Sequence, residues 1–267
     1  MKDTLNHFME ATMDNEMSYL FGLFQTDGHL SEDTQNRGKF SLEIDIKDED
    51  IIKKLNKIIT VNSSISYRKR ITNFGPSSSV KISVYDYRFR EQLKSWGFPV
   101  GKKSDTIRPP STEYSEIDYI RGLIDGDGSI GITSSGFPIF GFVTTSEEMK
   151  NYIINFIYKI TGKNKQINRN QRDNCFNICL YKEDVIKLVS ILYYDGCLSI
   201  KRKFDSAQKV KKWNRPANMI KVNQQKWNKN QDDFILNNSI NESILSLNRT
   251  EKSIKMRLWK LKNKTSE

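Results

Sequence analysis

Apolar and polar residues alternate strictly through Lys39-Phe40-Ser41-Leu42-Glu43-Ile44-Asp45-Ile46, with Phe40, Leu42, Ile44 and Ile46 on one face, which predicts a half-buried strand. The period then lengthens. Ile51, Ile52, Leu55, Ile58 and Ile59 fall at helical spacing behind the acidic start of residues 48–59, predicting a helix. Strands are predicted over residues 64–71 and 79–85, joined by the turn-rich stretch 72–78 that contains Gly75-Pro76. A helix over 86–96, ended by Gly97, completes this set, and the polar residues 29–38 before it read as a loop. Residues 98–115 carry Gly101, Pro109 and Pro110 and read as a linker. The same order then returns: strands near 129–133 and 138–144, a helix near 146–160, strands near 165–170 and 174–181, and a helix near 183–194. Residues 201–215 read as a basic connector ending at Pro216.

Recurrence of the whole order implies two related halves, and one stretch shows it residue by residue. Leu20-Phe-Gly-Leu-Phe-Gln-Thr-Asp27-Gly28 returns as Ile120-Arg-Gly-Leu-Ile-Asp-Gly-Asp127-Gly128, with the two aspartates 100 positions apart. Each copy has helical apolar spacing and ends in an acid and a glycine, so each predicts a short helix that stops at its glycine. Glycine inside a helix costs about 0.5–1 kcal/mol relative to alanine, so Gly22 and Gly122 need a reason. With Thr26 and Gly126 four residues on, they form a stripe of small residues that lets two backbones approach. The motif helices are therefore expected to pack together and bring Asp27 and Asp127 side by side. Close carboxylates repel each other, and a divalent cation with a preference for oxygen relieves the repulsion. Mg2+ is the expected ion, with Mn2+ or Ca2+ able to take the same site; Thr26 and Gly126, which precede the acids, join them as candidate metal contacts.

Charge points to a polyanionic partner, for the 267 residues carry 43 Lys+Arg against 32 Asp+Glu, a formal net charge of +11. Residues 201–267 hold 17 of those bases and 6 of those acids, leaving 26 of each sign in residues 1–200. Cys175, Cys179 and Cys197 fit no zinc spacing and read as reduced thiols. Neither a signal-peptide pattern nor an apolar run of membrane-spanning length is read, so a cytoplasmic or organellar protein that is neither secreted nor membrane-bound is expected. His7 and His29 are the only histidines and suggest no nucleophilic triad; Asp125-Gly-Asp127-Gly lacks the further ligands of an EF-hand.

The paired stretches at 20–28 and 120–128 resemble the signature of LAGLIDADG homing endonucleases in the single-chain form with two motifs, and the resemblance spans roughly residues 15–205. It departs from the family at Phe21 and Arg121, where a small residue is usual, and at Gln25, where an acid is frequent; Phe21 and Arg121 are expected to face away from the helix pair. The resemblance implies an α+β fold of two pseudo-symmetric αββαββα halves with curved antiparallel sheets that straddle double-stranded DNA. Carried over by position, it makes Asp27 and Asp127 the metal-binding catalytic carboxylates of a monomeric, metal-dependent phosphodiester hydrolase. It further implies cutting across the minor groove to leave a short 3′ overhang. Residues 1–100 would form the first half, 101–117 the linker and 118–205 the second half.

In residues 80–85 the apolar set is Val80, Ile82 and Val84, so Lys81, Ser83 and Tyr85 share the open face of the sheet. The counterpart run 176–181 puts Asn177 where Lys81 stands. The family commonly places a lysine on this strand near the scissile phosphate, which makes Lys81 the catalytic candidate, or else an ordinary phosphate contact. Lys39, Arg68, Arg70, Lys165 and Arg169 are further candidates for lining a DNA groove.

After a connector over 206–220, residues 221–267 carry Trp227, Phe234, Ile235, Ile244, Leu247, Ile254, Leu258 and Leu261, enough to pack three short helices. The last is basic, with Thr250 as its N-cap. Trp227, Asp232 and the run from Arg249 to Leu261 resemble Myb/SANT-like helix-turn-helix domains. That resemblance makes Lys252, Lys255, Arg257 and Lys260 candidate DNA contacts. Two alternatives stay open: a non-cutting regulator that joins a LAGLIDADG-like domain to a helix-turn-helix, and an intron maturase acting on RNA.

Overall fold

A computed structural model describes residues 12–31, 37–73, 75–217, 219 and 227–263, so His7 and parts of the expected 29–38 loop and of the tail lie outside the described residues. At its centre are two helices buried on nearly every side. Helix α1 (Asn15–Asp27) starts at Asp14, whose carboxylate accepts a hydrogen bond from the Met17 amide at 2.7 Å. Helix α4 (Glu116–Asp127) starts at Ser115 in the same manner. Apolar residues on every side of each helix, broken by a few buried polar ones such as Gln25 and Asp125, place the pair in the core. Tyr19, Leu20, Leu23, Tyr119, Ile120 and Leu123 are accordingly buried.

The stripe of small residues accounts for how closely the two helices meet. A Cβ on Gly22 would stand 2.3 Å from the Tyr119 carbonyl oxygen, and one on Gly122 would stand 2.0 Å from that of Tyr19. Backbone touches backbone at these points, and no side chain fits between. One further turn along, a Cβ on Gly126 would stand 1.9 Å from Thr26 Oγ1 and 2.5 Å from Asp27 Oδ2. Thr26 thus fills the space that Gly126 leaves. Phe21 and Arg121 do not point wholly away, as the sequence suggested. The Phe21 ring lies 6.3 Å from that of Tyr119, and the Arg121 guanidinium lies 5.3 Å from the Tyr19 ring, so each touches the opposite motif helix.

In the first half, strands β1 (Gly28–Ser31), β2 (Lys39–Asp45), β3 (Ser63–Thr72) and β4 (Gly75–Val84) form an antiparallel sheet in the order β1-β2-β4-β3. Phe40, Leu42, Val80, Ile82 and Val84 face inward, with helices α2 (Glu49–Ile58) and α3 (Tyr87–Ser95) adding Ile51, Ile52, Leu55, Phe89 and Leu93 to the core. Most of the expected turn at 72–78 is strand, because β4 begins at Gly75 and pairs back to Thr72. The ladder from β2 reaches only to Ser79, so residues 75–78 pair with β3 alone and tolerate Pro76.

The second half contains β5 (Gly128–Ile132), β6 (Pro138–Thr144), α5 (Glu147–Thr161), β7 (Phe176–Tyr181) and α6 (Glu183–Leu192), with sheet order β5-β6-β7. A strand expected at 165–170 is reduced to one bridge, Arg169 with Phe176. Two features explain the loss. The chain turns widely between the Asn170 amide and the Cys175 carbonyl, and Lys165 Nζ donates to the Cys179 carbonyl at 2.7 Å, so a side chain covers the edge of β7.

Residues 201–215, expected as a connector, instead hold helix α7 (Lys201–Lys211) and belong to the first of two compact units, which ends at Arg215. Ala207 and Val210 are buried. Arg202 reaches Asp48 beside α2 at 2.8–2.9 Å and so ties the two halves together, while Arg215 pairs with Glu183 at 2.6 Å. This moves the charge boundary. Through Arg215 the chain carries 33 Lys+Arg and 27 Asp+Glu, and from Pro216 it carries 10 and 5, so the excess is shared rather than confined to the tail.

The second unit contains helices α8 (Lys229–Asn237), α9 (Ile240–Leu247) and α10 (Glu251–Asn263) around buried Ile235 and Ile254. Arg249 stacks 4.0 Å from the Trp227 ring, and Arg257 donates to both carboxylate oxygens of Asp232 at 2.6 and 2.7 Å.

Because the helix contact admits no side chain, Gly22→Leu and Gly122→Leu should each destabilise the first unit by about 3 kcal/mol or more, lowering its melting temperature by at least about 6 °C. Thermal melts followed by circular dichroism test this, and an unchanged midpoint would show that the backbones do not meet there.

Candidate active site

Asp27 and Asp127 each occupy the last helical position before a strand. The next amide, of Gly28 or Gly128, still donates to Phe24 or Ile124, after which the chain turns into β1 or β5. Both glycines are extended, not left-handed, and space is what demands them. A Cβ on Gly28 would meet the Phe24 carbonyl oxygen at 2.5 Å and the Phe40 ring at 2.8 Å; one on Gly128 would meet the Ile124 carbonyl oxygen at 2.7 Å. The strand must leave the helix end this tightly for its acid to stay at the interface.

Both acids reach solvent, yet enough protein surrounds them to disfavour their charge. Burial pushes the Asp127 carboxyl up to about 6, with the Asp27 charge as the next cause and Lys103 and Lys203 opposing. Burial also raises Asp27, opposed by a hydrogen bond from Thr26 and by Lys103, Lys203 and Arg202. The Thr26 hydroxyl lies 2.8 Å from the Leu23 carbonyl and 3.0 Å from Asp27 Oδ2, which orients that acid.

The two lysines went unnoticed in the sequence. Lys103 Nζ donates to the Gln25 and Thr26 carbonyls at 2.8 and 2.5 Å, at the end of α1. Lys203 Nζ donates to the Ile124 carbonyl at 3.3 Å and to that of Gly128, at the end of α4. Burial lowers both ammonium pKa values. They too are 100 positions apart, and that spacing was the available signal, masked because one lies in the linker and the other in the supposed connector.

A polar layer stands behind the acids and repeats the pseudo-symmetry. Tyr19 and Tyr193 hydroxyls donate to buried Asp125 at 2.7 and 2.6 Å, and the Ile200 amide donates at 2.6 Å. In the other half the Tyr119 hydroxyl donates to Gln25, whose amide group donates to the Arg108 carbonyl at 2.9 Å. A cavity of about 150 Å³ beside Asp127 is lined by Gln25, Thr26, Lys103, Thr144 and Thr145 and has room for a hydrated ion.

The remaining candidates lie elsewhere. Lys81 stands two strands from Gly28, opposite Glu43 on β2 and Ser66 on β3, while the lysines at the acids are Lys103 and Lys203. Arg68 and Arg70 lie opposite Ser79 and Ser77 on the open face with Lys81, whereas Ser83, opposite Ser41 on the same side of the sheet, is buried. Lys39 lies 5.9 Å from the Tyr85 ring on that face, and Asn177 is exposed on β7. Arg169 is occupied by the Asn174 and Thr145 carbonyls, as Lys165 is by Cys179. On α10, Lys252 and Lys260 are exposed, Lys255 pairs with Glu251 at 2.6 Å, and Arg257 is committed to Asp232.

The residues present fit a hard divalent cation. Two converging carboxylates raise each other's cost of ionisation, and the helix ends add partial negative charge, an all-oxygen environment suited to Mg2+, Mn2+ or Ca2+. No cluster of three or more His, Cys, Asp or Glu suited to a metal occurs among the described residues. The donors available to such an ion would be the two acids and neighbouring main-chain oxygens. Gly126 shapes this set by its lack of a side chain, whereas Thr26 gives its carbonyl to Lys103.

The raised Asp127 value has a pH signature. A carboxyl held above its unfolded value of 3.8 is easier to keep protonated in the fold, so its ionisation destabilises the metal-free protein increasingly from pH 3.8 to about 6. Asp127→Asn should therefore raise the melting temperature in EDTA above pH 6, with the gain fading as pH falls toward 4. A gain independent of pH would contradict the strained acid pair.

No protein-family model and no curated sequence matches the chain. Among solved structures, the homing endonuclease I-WcaI bound to its DNA recognition sequence is similar at 14% identity and a TM-score of 0.50, over 72% of this chain and 85% of that one. Mesophilic variants from the homing endonuclease I-DmoI align at 15% identity and a TM-score of 0.46, over 73% and 97%. Full-length DUF199/WhiA from Thermatoga maritima aligns at 12% identity and a TM-score of 0.42, over 92% and 89%. At such identities a likeness speaks for the fold alone, and the fold is that of LAGLIDADG proteins.

Proposed function

We propose that the chain is a site-specific double-stranded DNA endonuclease of the homing type that works as a monomer, each half cutting one strand with the help of divalent cations. The observation that carries this reading is the convergence of Asp27 and Asp127 at the ends of α1 and α4, each helix end also holding a lysine ammonium. A protein that only binds DNA has no use for two adjacent carboxylates facing a phosphate backbone, since they repel it unless a cation intervenes.

Asp27 and Asp127 hold the ion in this reading, with Thr26 orienting Asp27. When bound, the ion neutralises phosphate charge and makes water a stronger nucleophile. Lys103 and Lys203, fixed on helix-end carbonyls, place a positive charge on each side of the acid pair where the phosphate gains charge in the transition state. Lys81, Arg68 and Arg70 hold the duplex by its phosphates and base edges. In the second unit, α10 offers Lys252, Lys255 and Lys260 to a major groove, as the recognition helix of a helix-turn-helix does, and so adds affinity outside the cleaved stretch.

A binding and cleavage selection from random duplexes, run with Mg2+ and with EDTA, locates the target. On that target Asp27→Asn and Asp127→Asn should each lower double-strand cleavage by at least about a hundredfold, beyond the loss typical of an outer-shell partner, while duplex binding persists. Lys103→Met should slow cleavage more than Lys81→Ala does. Wild-type cutting by either Asn variant would overturn the assignment of the acids.

Ending the chain at Arg215 keeps the Arg215–Glu183 pair and the Trp213 bond to Gly136. That shortened protein should still cut at low salt, with the slope of log K against log salt flattened by roughly 2 to 3 through loss of the α10 lysines. Equal slopes and equal footprints for full-length and shortened protein would show that the second unit does not bind DNA.

A further inference from the structure

The two sheets present different chemistry on equivalent faces. Cross-strand register puts Lys39, Glu43, Asp45, Arg68, Arg70 and Lys81 on the open face of the first sheet, interspersed with serines. The sheet β5-β6-β7 contains no Lys, Arg, Asp or Glu in any of its strands. Its open face, set by the pairs Gly131–Ile139–Tyr181, Ser129–Gly141–Cys179 and Val143–Asn177, is uncharged, with Ile139, Val143 and Tyr181 as its apolar side chains, two glycines, and Ser129, Asn177 and Cys179 as its polar ones. Val143 is 46% exposed and Tyr181 55% exposed.

Gly131 leaves open space above this floor. Glycine weakens a strand interior and marks places where another group comes close. A Cβ on Gly131 would have nothing within 4 Å, and one on Gly141 would meet only Ser129 Oγ at 2.9 Å, so no packing within the protein requires a glycine at 131.

We infer that the half-site lying on β5-β6-β7 is rich in T·A pairs and is read through thymine methyl groups, while the half-site on the first sheet is read through charged and hydroxyl groups; this rests on the nuclease reading above. In the major groove only thymine offers a methyl, the natural partner of Val143 and Ile139, and Asn177 matches adenine, which accepts and donates to an amide side chain. Every base pair presents polar atoms in that groove, so what Val143 and Ile139 distinguish is the thymine methyl, which the other bases lack. Gly131 and Gly141 let the base edges come down to the strands.

The test uses the full-length protein and the selected target, with thymine replaced by uracil in one half-site at a time so that only methyls are lost. Uracil in the half-site on the second sheet should weaken binding about fourfold for each methyl contacted, and uracil in the other half-site should change it little. Assignment of half-site to sheet follows from coupling: in Val143→Ala or Ile139→Ala the uracil effect should shrink, and in Arg68→Ala it should not. Equal tolerance of uracil in both halves, or a uracil effect that Val143→Ala and Ile139→Ala leave intact, would overturn the inference and leave the nuclease reading standing. Absence of duplex binding would overturn both.

Discussion

Contact of backbone with backbone between α1 and α4 is the constraint on which the rest of the first unit depends. Gly22, Gly122 and Gly126 together cost roughly 2–3 kcal/mol of helix propensity, and only a contact that excludes a Cβ explains all three. That contact fixes how far apart the helices lie and in what register. It therefore sets where their final residues stand, and those residues are Asp27 and Asp127. The sheets begin at the next glycine in each half, so the open faces are placed by the same contact.

Placing two carboxylates together creates an electrostatic problem that the surrounding residues partly answer. Lys103 and Lys203 supply positive charge from outside the motif helices, and Arg202 adds to it at Asp27 while binding Asp48. The answer is incomplete, for Asp127 remains well above the ordinary carboxylate range. A site with residual repulsion, oxygen donors and access to solvent is prepared for a cation. Behind it, Asp125 with its two tyrosines and Gln25 with Tyr119 satisfy buried polar groups that otherwise would destabilise the core.

Much of this was legible in the residues because its causes are local. The acids, the glycine stripe and most helices and strands follow from spacing alone, and the two-residue alternation of 80–85 correctly separated Lys81 and Ser83 from Val80 and Ile82. What escaped depended on contacts distant in sequence. Lys103 and Lys203 sit in stretches with loop-like or connector-like composition, and only their docking on the ends of α1 and α4 gives them a role. The helix at 201–211 was hidden by its basic residues, of which Arg202, Lys203 and Lys211 are occupied inside the unit by Asp48 and main-chain carbonyls. The missing strand at 165–170 and the extended hairpin at 63–84 both turned on how tightly the connecting turn closes, which apolar periodicity does not report.

Mn2+ bound with the selected target duplex, located by anomalous scattering in a crystal of the complex, tests the central claim most directly. The account predicts manganese at the Asp27 and Asp127 carboxylates, beside a phosphate of each strand. Manganese bound elsewhere in a complex that cuts its duplex, with both carboxylates free of metal, would contradict it.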